Sequence, residues 1–272
     1  MNLSNVSKHP LLEATDLSIH FGGLKALHEI NFTVSSGSIK AVIGPNGSGK
    51  TTLFNIITGA HPPSSGRVSF DGEDITALPA FKIVSLGIAR TFQNIRLFNQ
   101  MTVLENVMVG NHCRMRGGLW ASGFRSRGVR AEENRCEEKA VQMLDRVGFK
   151  GDLKMRSSSL PYGSRRLLEL ARALCAGPRL LALDEPTAGM NITETLAMLS
   201  TIKKLKDLGI TVLLIEHNMR LVMGVAESIM VLNGGQKIAE GSPEEICNDQ
   251  KVIEAYLGKR GLGSRVAPSP RD

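Results

Sequence analysis

No run of apolar residues in this chain approaches the roughly 20 that a helix needs to span a bilayer. The longest, such as Leu180–Leu183 and Val212–Ile215, are the length of strands, so the chain is not expected to cross a membrane by itself. Its start, Met1-Asn2-Leu3-Ser4, lacks the basic-then-apolar order of an export signal, which predicts cytosolic residence. Cysteine is scarce: four residues, at 113, 136, 175 and 247, have no short paired spacing. That supports neither a zinc cluster nor a dithiol redox motif and leaves packing as their role. No internal repeat is visible. Acid is missing from one stretch, since five arginines and no Asp or Glu lie between Gly110 and Arg130. The segment from Lys259 to Arg271, basic and punctuated by Gly261, Gly263, Pro268 and Pro270, reads as a disordered tail. Net charge is +7, which fits nucleic acid, anionic lipid or no specific partner, and composition does not choose among them.

What is present is enough for a large core. The 272 residues, 42% of them hydrophobic, suit one large domain or a core with a subdomain. Gly44-Pro45-Asn46-Gly47-Ser48-Gly49-Lys50-Thr51 fits the phosphate-loop pattern G-x-x-x-x-G-K-[ST] and follows the apolar run Ala41-Val42-Ile43. Glycines let the backbone curl so that successive N–H groups point at dense negative charge. A helix over 50–58 would offer its positive end, with Thr52 in its first turn. Lys50 would reach the β- and γ-phosphates, and the Thr51 hydroxyl would join a Mg²⁺ shell. The competing reading is a glycine-rich turn that happens to precede Lys-Thr.

Alternating residues predict half-buried antiparallel strands over 17–21 and 30–34, and Arg67–Phe70 followed by Asp71-Gly72 reads as a strand and tight turn. Pro79–Leu86 reads as a short helix. Thr102-Val103-Leu104-Glu105 has capping-box spacing, and a charged helix is expected from about Ala131 to Val147. From Leu180 onward, apolar strands (180–183, 210–215, 229–232) alternate with helices near 193–208 and 218–225, the rhythm of a parallel sheet. The expected fold class is therefore α/β, with both ends of the chain sharing one core.

Leu180-Leu181-Ala182-Leu183-Asp184-Glu185 is a buried strand delivering two carboxylates to its C-terminal edge, where ligands bind in open parallel sheets. Asp184 would hold Mg²⁺ directly or through water, and Glu185 would orient or deprotonate an attacking water. The bland alternative is a strand that ends in solvent-exposed acids.

The order of Gly44–Thr51, Gln93, Leu160-Pro161-Tyr162-Gly163-Ser164, Asp184-Glu185 and His217 resembles an ATP-binding cassette (ABC) transporter ATPase over roughly residues 12–258. The resemblance implies a P-loop NTPase core of ABC ATPase type, an N-terminal antiparallel β subdomain and a helical subdomain over about 95–178. Residues 1–11 would be an extension and 259–272 a flexible basic tail. ATP and Mg²⁺ are the implied cofactors. Two cassettes would face each other, trapping ATP between the P-loop of one and the signature of the other. Phe21, 29 positions before Lys50, is similar to the aromatic that stacks on adenine, the lesser alternative being a plain core Phe. Gln93 matches the glutamine that joins the metal site to the coupling region, and His217 the switch histidine at the γ-phosphate. Ala188-Gly189-Met190-Asn191 matches the D-loop, with Asn191 as its polar contact. The signature departs from the common Leu-Ser-Gly-Gly-Gln: Pro161 has neither hydroxyl nor N–H to give, and Tyr162 replaces a glycine. Gly163 and Ser164, at the start of a helix expected over 164–176, remain the anion contacts.

Arg165-Arg166 after the signature, Arg90-Thr91-Phe92-Gln93-Asn94-Ile95-Arg96-Leu97-Phe98, Ile215-Glu216-His217-Asn218-Met219, the insert at 112–130 and the ending Val252–Gly258 resemble the ATP-binding subunits of branched-chain amino acid importers. This implies two membrane permeases, a second and different ATPase whose own signature compensates for Pro161, and a solute-binding protein acting indirectly. The chain would sit peripherally on the inner face of the cytoplasmic membrane. Import of amides or urea, lipid or lipopolysaccharide transport, and a P-loop relic without turnover remain alternatives. A nucleic-acid role is not expected, because neither fused cassettes nor a coiled-coil arm is present.

Overall fold

A computed structural model of the chain describes residues 10–112 and 127–257. Strands β1 (Pro10–Phe21) and β2 (Leu24–Ser35) form a hairpin, and the chain then enters the fully buried β3 (Ile39–Ile43) and helix α1 (Lys50–Ile57). Strand β4 (Ser65–Phe70) and the short β5 (Glu73–Asp74) complete an antiparallel sheet of order β2-β1-β4-β5. The alternation expected over 30–34 is there, but over 17–21 it is not: Leu17, Ser18 and Ile19 are buried in succession and His20 and Phe21 are exposed, and both strands start earlier. Register shifts along β1, at Pro10/Leu12 and Ala14/Leu17, put Leu11 and Leu12 side by side in the core and break the period of two.

Helix α2 (Ala80–Leu86) leads to β6 (Ile88–Arg90), and a helical layer follows: α3 (Val103–Val109), α4 (Arg127–Arg146) and α5 (Tyr162–Cys175). The capping box at Thr102 is formed, with the Glu105 N–H donating to Thr102 Oγ1 at 3.2 Å and the Thr102 N–H to Glu105 Oε2 at 2.8 Å. Helix α5 begins at Tyr162, not at Ser164, because Pro161 with φ −57° serves as its N-cap and its carbonyl accepts the Arg165 N–H. Strand β7 (Leu180–Asp184), α6 (Ile192–Asp207), β8 (Thr211–Ile215), α7 (Met219–Val225) and β9 (Ser228–Asn233) then alternate as expected.

The larger sheet has the order β10-β9-β3-β8-β7-β6, parallel except for the edge strand β10 (Gln236–Gly241). β3, β7 and β8 are buried at every residue, and this explains their unbroken apolar runs: both faces of the sheet are covered. One face packs on α1 and the antiparallel sheet through Leu12, Phe32, Leu53 and Phe54. The other packs on α3–α6 through Val107, Leu144, Leu168 and Ile202. Helices α8 (Pro243–Asn248) and α9 (Gln250–Leu257) close a third cluster around Val222, Ile246 and Val252.

Cys136 and Cys175 are buried, the latter thiol pushed up to about 11 by desolvation, whereas Cys247 is exposed, with its sulfur 3.7 Å from that of Met223. Cys113 lies outside the described residues, as do most of the arginine-rich insert and the tail at 259–272. Among the described residues no helix is long and apolar enough to cross a membrane.

Candidate nucleotide site

Because β3, β6, β7 and β8 run parallel, the loops that follow them emerge at one edge of the sheet. The phosphate loop follows β3, Gln93 follows β6, Asp184-Glu185 ends β7 and His217 follows β8. Two glycines of the loop are sterically required. A Cβ at Gly44, whose φ is 151°, would lie 2.0 Å from the Leu232 carbonyl oxygen. One at Gly49, the N-cap of α1 with φ 103°, would lie 2.6 Å from Leu27 Cδ2.

Lys50 is buried and folded back into its own loop, its Nζ donating to Gly44 O at 2.8 Å, Pro45 O at 2.9 Å and Ser48 Oγ at 3.4 Å. Burial lowers its pKa, and the nearby Glu185 and Asp184 charges only partly oppose this. A cleft of about 550 Å³ opens above the loop. Its walls include Phe21, Asn46 through Thr52, Gln93 and Glu185, which the motifs single out, and also Leu24, Lys25, Ala26 and the Gly234-Gly235 turn, which they do not. Phe21 is 48% exposed, with His61 edge-on at 5.9 Å, so it is a cleft wall and not a core residue.

The two carboxylates are held differently. Glu185 has φ 47°, an uncommon backbone for a residue with a side chain, and its N–H donates to Ile215 O at 2.9 Å. Gln93 Nε2 donates to Glu185 Oε2 at 3.1 Å, and His217 Nδ1 stands 3.8 Å from the same oxygen. Asp184 is buried and takes a charge-assisted bond from Arg90 Nη2 at 2.8 Å. Arg90 is itself fixed by Asn55 Oδ1 at 2.7 Å and by the faces of Phe54 and Phe92. The motifs gave no role to Arg90. The arginine sits in the quoted Arg90–Phe98 segment, but its carboxylate is 94 residues further along and only the sheet joins them.

Gly163 and Ser164 are not brought into this cleft. Gly163 is buried beneath Glu194, whose Oε1 would lie 2.5 Å from a Cβ at that position. The Tyr162 ring packs on Gly189, and its hydroxyl accepts a bond from Arg166 Nη2 at 3.1 Å. Asn191 caps α6, its Oδ1 accepting the Glu194 N–H at 2.9 Å, so its polar group is engaged within the chain. Among the described residues no group of three or more His, Cys, Asp or Glu could hold a metal by themselves. Thr51 and Gln93 line the cleft with hard oxygen donors of the kind that suit an ion bound to phosphate, whereas Asp184, buried and bonded to Arg90, is not among the lining residues.

Residues 27–188 match the ABC transporter family, and residues 236–261 match the branched-chain amino acid ATP-binding cassette transporter family. The chain is 42% identical to the high-affinity branched-chain amino acid transport ATP-binding protein BraF of Pseudomonas aeruginosa, over 92% of this chain and 98% of that protein. It is 40% identical to LivG of Escherichia coli, of the same description and coverage. Its fold superposes on a nucleotide-free ATP-binding cassette from an ABC transporter with a TM-score of 0.80, at 34% identity over 92% of this chain and all of the other. A cassette in its ADP conformation gives a TM-score of 0.79 at 32% identity, with the same coverage.

Proposed function

This chain belongs to the ABC transporter family, and from that premise we propose that it is the ATP-hydrolysing subunit of an importer for branched-chain amino acids. The observation that carries the ATPase reading is the convergence of Lys50, Gln93, Glu185 and His217 at one sheet edge. The cargo reading is supported by the match of residues 236–261 and by the names of the relatives.

In this reading the nucleotide enters the cleft with its base against Phe21 and its phosphates over Gly44–Thr52. Lys50 exchanges its three loop acceptors for β- and γ-phosphate oxygens. Thr51, Gln93 and Asp184, the last directly or through water, would hold Mg²⁺, which when bound would neutralise charge on the phosphate oxygens. Glu185 accepts the proton of the attacking water, and the Gln93 amide fixes the carboxylate oxygen that does so. His217, beside that oxygen, senses the γ-phosphate. Gly163 and Ser164 serve the nucleotide of an opposing cassette, which accounts for their position outside this cleft. The partners are two membrane permeases, a second and different ATPase, and indirectly a solute-binding protein. Residues 12–258 form the cassette with its helical subdomain at about 95–178, peripheral on the inner face of the cytoplasmic membrane.

Glu185→Gln keeps the size of the side chain and removes the base. Expected are unchanged ATP binding, turnover lowered by about 10²–10⁴, and uptake of labelled leucine, isoleucine and valine reduced to background in cells carrying only this variant. Unchanged turnover would remove Glu185 from its role, and normal uptake of all three amino acids would overturn the cargo reading.

A further inference from the structure

Two charges on α5, Arg166 and Glu169, are buried to 2% exposure and do not themselves line the cleft. They grip the loop that carries Gln93. Arg166 Nη1 donates to Phe92 O at 2.8 Å and Nη2 to Gln93 O at 2.6 Å. Glu169 Oε1 accepts the N–H of Phe92 at 3.4 Å and of Arg96 at 3.3 Å, while its Oε2 faces Arg166 Nη1 at 3.4 Å. All four loop contacts are to backbone, so they fix where the loop runs without occupying the Gln93 amide.

At its other end the pair meets the unusual residue of the signature. Arg166 Nη2 donates to the Tyr162 hydroxyl, and the guanidinium lies 5.6 Å from the centre of the Tyr162 ring. That ring fills the space a side chain at Gly189 would need, 2.9 Å from Cε1, in the loop that follows Glu185. Contacts thus run without a gap from the Gly189 loop through Tyr162 and Arg166 to the backbone of Gln93, whose amide returns to Glu185. Two buried ions are a costly way to pack a helix against a loop, since apolar side chains of similar volume do so at no desolvation cost. Burial also pushes the Glu169 carboxyl up, against the amides and the arginine that hold it.

We propose that Tyr162, Arg166 and Glu169 form a positioning bridge that sets Gln93 relative to Glu185, so that a movement of the signature helix is passed to the hydrolytic carboxylate. This deepens the ATPase reading and rests on it.

Replacing Arg166→Gln together with Glu169→Gln removes both charges at once, so neither is left without the other, although the buried Arg172 also loses the Glu169 charge that faces it, which is why protection of α5 is read alongside. In the full chain, amide exchange over residues 92–96 should quicken by about tenfold or more while α5 keeps its protection. The kcat for ATP should fall about 10- to 100-fold with KM within about twofold. In a Gln93→Ala background the same pair should cost less than about twofold more, because a residue acting through Gln93 has nothing left to act on. Tyr162→Phe, a smaller change to a partly exposed ring, should move exchange and kcat in the same direction by less. Unaltered exchange at 92–96 in both variants, or an undiminished loss in the Gln93→Ala background, would overturn the bridge. A wild-type chain without ATPase activity would instead overturn the ATPase reading, and the exchange measurement would still decide the bridge.

Discussion

Lys50 is a buried cation whose hydrogen-bond partners are its own loop's carbonyls and hydroxyl, not a carboxylate. Desolvation disfavours its charged form, so it releases its proton below the ordinary lysine value of 10.5. A lysine with a depressed pKa costs stability while charged, and that cost is relieved as pH rises through its folded pKa. The same deprotonation removes the cation that phosphate needs. ATP affinity should therefore weaken on the alkaline side at a pH below 10.5, without loss of folding stability from this group. Calorimetric titration across that range checks it. Lys50→Met should bind ATP about 1.5–3 kcal/mol more weakly and lose this alkaline dependence. At this scale the sequence was most readable where backbone geometry dictates residue type, as at Gly44 and Gly49. It was least readable at Arg90, whose carboxylate partner is brought to it only by the folded sheet, and at Glu169, whose loop partners Phe92 and Arg96 lie more than 70 residues before it.

Helix α6 shows how an element end decides a residue's role. Asn191 and Glu194 satisfy each other's backbone N–H groups, at 2.9 and 3.0 Å, in a capping box. The same Glu194 covers Gly163, so the cap also fixes what stands beside the signature helix. Asn191→Ala should lower stability by about 0.5–2 kcal/mol, read as a fall in melting temperature, while Asn191→Asp keeps the acceptor and should stay near wild type. A loss of activity with unchanged stability in Asn191→Ala would instead favour the cross-dimer contact that the D-loop resemblance implies. Elements with clean periodicity or caps, such as α3, β7 and β8, were legible. The edge strand β10 and the short helices α8 and α9 were not, because β10 has only partial burial and α8 spans six residues. Ser242-Pro243-Glu244-Glu245 nevertheless carried a cap signal, since the Glu245 N–H donates to Ser242 Oγ at 3.3 Å with Pro243 in the first turn. Strand order was beyond any local pattern, because β3 lies between β8 and β9, strands from the far end of the chain.

At the scale of the described residues, one cleft holds the phosphate loop, and the start of α5, which we propose serves a facing cassette, lies outside it. Pro161 precedes that start without a side-chain cap, leaving the first N–H groups of α5 with no side-chain acceptor. Pro161→Ser introduces a hydroxyl with two separable consequences. As an N-cap acceptor it should raise stability by about 0.5–2 kcal/mol whatever the oligomeric state. As a donor toward a facing γ-phosphate it acts only when α5 meets a second cassette. The ATPase of the isolated chain should therefore rise in proportion to protein concentration where pairing is incomplete. In the complex with a different ATPase the gain should be smaller, because only one of the two sites uses this signature. Melting temperature and ATPase, measured on the same samples over a concentration series, separate the two effects. A gain in stability with no gain in rate at any concentration would mean that the hydroxyl only caps α5. The backbone N–H groups at Gly163 would then be all that this chain gives to its partner's nucleotide.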